Sequence, residues 1–307
     1  MAFSATDAAL EGFRITRAHP KAVLAWAGVQ LAMIALLNAL VRSAAGEELA
    51  KFTDLSYLTA SHAPAELMRL LPIMCEILAI NLMVGVLFNA VLCAAVNRAV
   101  RREPAAAGLG WLRLGPDELR QIPVLLAYAL IVGAVYLVGL TVAVTVLGGV
   151  LSALLGPTGA VVGGFLGVLA DLALVLWVAV RLSLASPATF ATGRYALFAT
   201  WSLTRGRFWP LAGAYCVSWL LSLLVSVLVQ TIGLVVAHLI PGLEGLHSLA
   251  VNRGDLYALA AFTDPAFLIG LLFSALAGGL TTAVALAPAP YIYRELTGAP
   301  RHVDAFA

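Results

Sequence analysis

The chain has 307 residues, of which 62% belong to the set AVILMFWYC and 11% are charged. A soluble domain is about 45–50% apolar and about 25% charged, so this composition, with a mean hydropathy of +0.98, excludes a soluble fold and points to a multi-pass membrane protein. The net charge of +2 rests on 18 cations, 16 of them Arg, scattered among apolar runs rather than gathered into a basic patch, which argues against nucleic acid as a partner.

The opening segment reads as an amphipathic helix. Phe3, Leu10 and Phe13 share one face, and Asp7, Glu11 and Arg14 another, as in a helix lying in the headgroup plane. The apolar run 22–41 follows. It is too long for a signal-peptide core of about 7–15 residues and long enough to cross about 30 Å of hydrocarbon, so it is expected to be a retained span. Five further spans are expected at about 71–97, 122–147, 161–180, 210–235 and 266–288, the last stopping at Pro288 and Pro290. Before the fifth, Leu197, Phe198 and Trp201 beside Arg194, Arg205 and Arg207 suggest a second in-plane helix. The apolar runs are continuous rather than alternating, which excludes a membrane β-barrel.

The expected fold is therefore all-α: a polytopic membrane helix bundle of about six transmembrane helices plus two interfacial amphipathic helices, with residues 1–307 forming one integral membrane domain. The order of in-plane helix, span, external loop and span occurs at 5–97 and again at 191–288. A hairpin, 122–180, lies between, so a parallel internal repeat is expected. The longest gap between spans, 42–70, leaves no room for a soluble catalytic domain.

Orientation follows from the cations. Fourteen lie in the terminal segments and in the loops 98–120 and 181–209, against four in the opposite loops. The positive-inside rule then places both termini in the cytoplasm. Heavy Arg and Ala usage fits a GC-rich bacterial coding bias, so the expected location is a bacterial inner (cytoplasmic) membrane. Trp26, Trp111, Trp177, Trp201 and Trp209 fall at the cytoplasmic side, where interfacial anchors are expected.

Two stretches carry a family resemblance. Arg181 to Pro187 (RLSLASP) with Ala196 to Arg205 (ALFATWSLTR), and the closing Ala289 to Leu296 (APYIYREL), resemble the integral-membrane domain of some bacterial glycerophosphodiester phosphodiesterases and its stand-alone inner-membrane relatives. That resemblance implies a membrane-domain architecture. The family's catalytic barrel, with its acidic metal ligands and histidines, has no counterpart here, so no active-site residue is carried over.

Polar residues inside the spans recur every fourth position. Asn81, Gly85, Asn89, Cys93 and Asn97 do so in span two, and Gly159, Gly163, Gly167 and Asp171 in span four. Span five has Ala214, Ser218, Ser222, Ser226 and Gln230; span six has Gly270, Ser274, Gly278 and Thr282. Such stripes are either packing seams or the walls of a polar cavity among spans two, four, five and six. The candidate functional residues are Asp171, Glu76, Asn81, Asn89, Ser218, Ser222, Ser226 and Gln230. A carboxylate at a span centre costs about 2.5–3.5 kcal/mol to insert. Asp171 should accordingly face protein, with the Asn residues of span two or the Ser residues of span five as partners. Glu76 is near the external end of span two, where water or Arg69 can reach it.

No catalytic, cofactor or metal constellation is expected. His19 is expected to touch headgroups; His62, His238, His247 and His302 are outside span centres; His238, Glu244 and His247 match no metal motif. Cys75, Cys93 and Cys216 form no C-x-x-C and are expected as buried structural thiols. The expected function is non-enzymatic, with a lipid-proximal, envelope-associated or scaffolding role. The alternative is a small-solute or ion transporter using the seams around Asp171. The expected partners are the lipid bilayer and other membrane proteins or further copies of the chain.

Overall fold

Proline opens five of the helices, because a proline at the first helical position lacks only an N–H that would have no partner there. The computed structural model describes residues 3–52, 63–101, 109–239 and 265–298. Its helices in chain order are α1 (Ala5–Ala18), α2 (Pro20–Phe52), α3 (Ala63–Arg101), α4 (Pro116–Leu155) and α5 (Pro157–Leu182), then α6 (Ala185–Thr192), α7 (Thr200–Thr204), α8 (Phe208–Leu239), α9 (Pro265–Leu286) and α10 (Pro288–Thr297). No strand occurs among the described residues. Six helices, α2, α3, α4, α5, α8 and α9, are long and apolar enough to cross a membrane. The chain is an all-α, multi-pass membrane protein.

The third span is longer than hydropathy indicates. Instead of 122–147, α4 runs 40 residues from Pro116 to Leu155, about 60 Å at 1.5 Å per residue. Proline at its start and Asp117 and Glu118 in its first turn begin the helix before hydrocarbon depth is reached. At the other end of the span region, α9 stops at Leu286, and Pro288 begins α10 immediately afterwards.

Around the bundle the order of contact is α5, α4, α3, α2, α9, α8. The α4–α5 hairpin is the most intimate pairing. It turns on Gly156, whose φ of +68° is readily reached only by glycine. From that turn, residues four apart on each strand of the hairpin meet: Gly159 lies on the Leu151 carbonyl, Gly163 on that of Leu147, and Gly167 on the backbone of Ala143. A Cβ on Gly167 would stand 2.8 Å from the Ala143 carbonyl carbon. Membrane helices gain little from burying apolar surface against each other, so close backbone approach at small residues supplies the attraction. A second seam joins α2 to α9, where Gly279 packs on Val23 and Ala27, and Gln30 Nε2 donates to Thr282 Oγ1 at 2.9 Å.

A layer of shorter segments covers the end of the bundle that carries α1 and α10. The buried face of α1 is Ala8, Ala9, Glu11, Gly12 and Ile15, with Gly12 pressed on the backbone of Ala283 and Val284 in α9. Leu10 is exposed and Phe13 half-buried on its other side. The contact is made by Ala8, Ala9, Gly12 and Ile15, with Glu11 buried beside them and Phe3 packed against the core, so of the expected apolar face only Leu10 is exposed. Arg14 caps this helix's charge pattern by bonding Asp7 at 2.6 Å and Glu11 at 3.2 Å. The Asp7 carboxyl is held below its ordinary value by the hydrogen bond from Arg14. This contribution is complete above the ordinary Asp pKa of about 3.9 and is lost as pH falls through the lowered value. Before span five, α7 has five residues, and Phe198, in the turn ahead of it, is exposed.

Two tryptophans depart from the expected anchoring role. Trp26 is fully buried, with Nε1 donating to the Gly110 carbonyl at 2.8 Å, and Trp111 is buried beside it. His19 meets the Trp111 ring edge-on at 4.9 Å between centroids. The loop makes this possible by folding under α2 with positive φ at Gly110 and Trp111. Trp177, Trp201 and Trp209 remain partly or well exposed.

An ion pair pins the same layer. Arg98 of α3 bonds Glu118 at 2.6 Å and Asp117 at 3.3 Å, both on α4, and the Trp111 carbonyl at 3.1 Å. The Arg98 and Glu118 side chains are both buried. Removing one partner of such a pair strands the other charge, at a cost of about 3–5 kcal/mol.

Two measurements check this packing. Gly163→Leu should lower the melting temperature of the detergent-solubilised protein, since overpacking costs about 1–3 kcal/mol even where flexible neighbours can yield. Gly149→Leu, with open space at its Cβ position, should leave it nearly unchanged; equal effects would show that the seam does not hold the hairpin. Arg98→Ala should destabilise by about 3–5 kcal/mol and Glu118→Gln by less, because the amide still accepts a bond from Arg98. If Arg98→Ala melts like the wild type, the pair is not structural.

Candidate functional site

The contact order leaves one joint loose. α8 touches α5 only lightly, whereas every other neighbouring pair of spans is extensively packed. Beside this joint lies a cavity of about 370 Å³, inside the roughly 300–1,000 Å³ range of small-molecule sites. Its walls come from α3, α4, α5, α8, the connector from α5 into the first turn of α6 (Ser183 and Ala185 to Pro187) and the α9–α10 junction. All its lining residues are within about four helical turns of the bundle end that carries α1 and α10. Leu176 of α5 and Trp219 of α8 both line it and are 51% and 64% exposed. The cavity therefore reaches the lipid-facing surface between those two helices.

The lining is chiefly apolar and includes no Lys, Arg, Asp or Glu. Against that background its polar atoms stand out. Asn97 is 3% exposed; its Nδ2 donates to the Cys93 carbonyl at 2.7 Å and to Ser186 Oγ at 3.3 Å, while Oδ1 has no partner among the described residues. Ser218 is 2% exposed, and its Oγ has no such partner; the Tyr215 hydroxyl faces Ser183 without a well-formed hydrogen bond. Leaving a buried polar atom unpaired costs about 1–3 kcal/mol. Three on the wall of one cavity form a hydrogen-bonding surface for something that enters it.

The connector is held in place from outside the cavity, where Gln121 of α4 donates to the Ser186 carbonyl at 3.1 Å. Below it, toward the bundle end, a crevice of about 20 Å³ is lined by Asn97, Arg101, Pro187, Ala191, Pro290, Tyr293 and Arg294. Asn97, Pro187 and Pro290 line both spaces.

The residues selected from the sequence are not gathered into one site. Asp171 is 2% exposed and faces α4, its carboxyl lying against Gly139. That corrects the expected partners in spans two and five. It continues the seam of Gly159, Gly163 and Gly167, but at this rung the glycine is on the opposite helix, where it makes room for the larger side chain. Neither Asp171 oxygen has a hydrogen-bond partner among the described residues, and Asp171 does not line the cavity. Ser218 does line it; Ser222 is buried with an unpaired Oγ, and Ser226 is half-buried. Gln230 is exposed and bonds Ser274 of α9 at 3.3 Å.

Of the asparagines of α3, Asn97 alone bonds another helix among the described residues, at Ser186 of α6. Asn81, Asn89 and Asn97 each donate to the carbonyl four residues back, on Ile77, Gly85 and Cys93. A short amide side chain satisfies itself on its own helix when no partner is near. Asn81 and Glu76 are exposed on the outer surface. The side chain of Arg69 and the expected grouping of His238, Glu244 and His247 lie outside the described residues, as do His62 and His302. Of the thiols, Cys93 is buried on the cavity wall, but Cys75 and Cys216 are exposed, which corrects their expected burial.

Sequence reasoning missed Tyr215, Tyr128, Ser183 and Ser186 as cavity residues. Tyr215 stands three residues before Ser218, on the same helix face, and that pairing is the signal that was available. No protein-family model, curated protein or solved structure matches the chain.

The surroundings of Asp171 define a test. Replacing an unpaired buried polar group by an apolar one removes its desolvation cost, so Asp171→Ala should melt at or above the wild-type temperature in detergent. A drop comparable to that of Gly163→Leu would show that the carboxyl has a stabilising partner.

Proposed function

We propose that this protein is a non-enzymatic, lipid-proximal membrane protein that receives the hydrocarbon part of an amphiphile in the cavity between α5 and α8. The observation that carries the reading is an apolar cavity, open toward the lipid-facing surface, whose few polar atoms are buried and unpaired. A ligand with an apolar chain and a hydrogen-bonding group suits both parts of that wall. The cation asymmetry of 14 to 4 supports both termini in the cytoplasm, with the cavity then in the cytoplasmic leaflet, and the heavy Arg and Ala usage supports a bacterial inner membrane. The resemblance of Arg181–Pro187 to a phosphodiesterase membrane domain agrees with a role beside lipid, since Leu182, Ser183 and Ala185 to Pro187 of that stretch form part of the wall. A transporter built around Asp171 draws less support, because Asp171 belongs to the α4–α5 seam and not to the cavity.

Lipid retention tests the proposal. Purified protein, stripped with detergent and examined by native mass spectrometry, should retain at least one lipid molecule per chain. Ala179→Phe, which projects a ring from the cavity wall, should release it. Ala173→Phe, on an exposed face of the same helix, should not. Equal lipid retention by Ala179→Phe and wild type would refute the reading.

A further inference from the structure

The cavity itself is uncharged, but the crevice beneath it is not. Arg101, at the end of α3, and Arg294, on α10, line that crevice together with Asn97, Pro187 and Pro290 of the cavity wall. Arg294 is 5% exposed, and its guanidinium is oriented by bonds to the Val100 carbonyl at 3.0 Å and to Glu295 at 3.2 Å. A guanidinium has five N–H donors, so these two bonds leave donors unused. Arg101 stacks over Phe190 at 5.7 Å and makes no ion pair among the described residues. Glu295 offsets one of the two positive charges, and among the described residues the crevice keeps a net positive balance. Nearby Arg98 adds nothing to it, because Glu118 and Asp117 already neutralise that side chain.

Two spaces that share three residues, one apolar and one cationic, match the two parts of a single molecule. We infer that the cavity and crevice together form a site for an anionic glycerophospholipid, with an acyl chain in the cavity and the phosphate at Arg101 and Arg294. Arg is suited to this task because its planar fork bonds phosphate oxygens in pairs. The crevice exceeds the roughly 10–15 Å³ needed for one water-sized group, enough for a phosphate oxygen to enter between the two guanidinium groups while the rest of the headgroup remains outside. Asn97 stands at the junction, its unpaired Oδ1 available to a hydroxyl or amine of the ligand. The site draws its ligand from the membrane rather than from solution, because the wide part of it opens toward lipid. This inference rests on the amphiphile reading above and adds the headgroup chemistry.

Headgroup selectivity separates the two. The detergent-solubilised full chain is titrated with phosphatidylglycerol, with phosphatidylcholine of the same chains, and with inorganic phosphate, and binding is read by native mass spectrometry. Phosphatidylglycerol should bind roughly fivefold more tightly than phosphatidylcholine, as expected of one uncompensated cation. Arg101→Gln should remove most of that preference, weakening phosphatidylglycerol more than phosphatidylcholine, whose choline cation already opposes the positive crevice. Because Arg294 also holds α3, Arg294→Gln is compared with Arg294→Lys, which keeps the charge; only the first should lose selectivity. Ala179→Phe should abolish binding of both lipids. Equal affinity of the wild type for the two lipids, with Ala179→Phe still releasing both, overturns the anionic site and leaves the amphiphile reading standing. Lipid binding untouched by Ala179→Phe overturns both. Displacement of phosphatidylglycerol by millimolar inorganic phosphate overturns the lipid assignment in favour of a free-anion site.

Discussion

Close approach of helix backbones is the constraint from which the rest of this fold follows. Inside a bilayer the hydrophobic effect does not favour one helix against another over helix against lipid, so packing contacts and the fit of small residues decide which helices stay together. Glycines provide that fit at three places: along α5 against α4, at Gly278 and Gly279 of α9 against α2, and at Gly12 of α1 against the end of α9. No such seam joins α5 to α8. The cavity stands where close packing stops.

The covered end of the bundle obeys different rules, because charge is affordable there. Arg98 is buried between Glu118, Asp117 and the Trp111 carbonyl, and Arg294 between Val100 and Glu295. Both tie the end of α3 to another element, α4 in the first case and α10 in the second. The buried indole of Trp26 ties α2 to the loop before α4 in the same way. These polar contacts fix the positions of the segments that glycine seams do not reach, and among them are the connector and the α9–α10 junction that form the cavity's lower wall.

Much of the fold was legible from the sequence, since a run of about 20 apolar residues has few alternatives to crossing the bilayer. The Gly159–Gly163–Gly167–Asp171 stripe correctly indicated a seam. Its partner was not legible, because α4 presents that seam mostly with Leu151, Leu147 and Ala143, whose backbones and not their side chains make the contact. Trp26 and Trp111 were misread for a related reason: proximity to the interface in sequence does not say whether a ring points at lipid or at a loop folded beneath it. Asn81 and Asn89 of the asparagine stripe misled because each bonds its i−4 carbonyl, an acceptor the sequence pattern does not show. Of the cavity, the stripes of spans two and five indicated Cys93, Asn97 and Ser218, which line it, but not its apolar character or its place. That place depends on a missing contact between two helices, and no pattern within either helix records that absence.

Asp171 and the cavity both hold unpaired polar atoms, yet their settings lead to different consequences. Around Asp171 the opposing helix carries Gly139, and the carboxyl fills the space that this glycine leaves, so nothing larger than the side chain itself is accommodated. Around Asn97, Tyr215 and Ser218 the unpaired atoms border about 370 Å³ of open volume. An orphaned atom in a closed seam is a cost carried by the fold, of the order of 1–3 kcal/mol. The same atom on an open wall is a cost that a bound molecule can remove, and this converts it into binding energy. The distinction lies in the room beside each atom rather than in its charge or depth, which is why the most conspicuous polar residue of the sequence belongs to the framework and the less conspicuous Asn97, Tyr215 and Ser218 belong to the site.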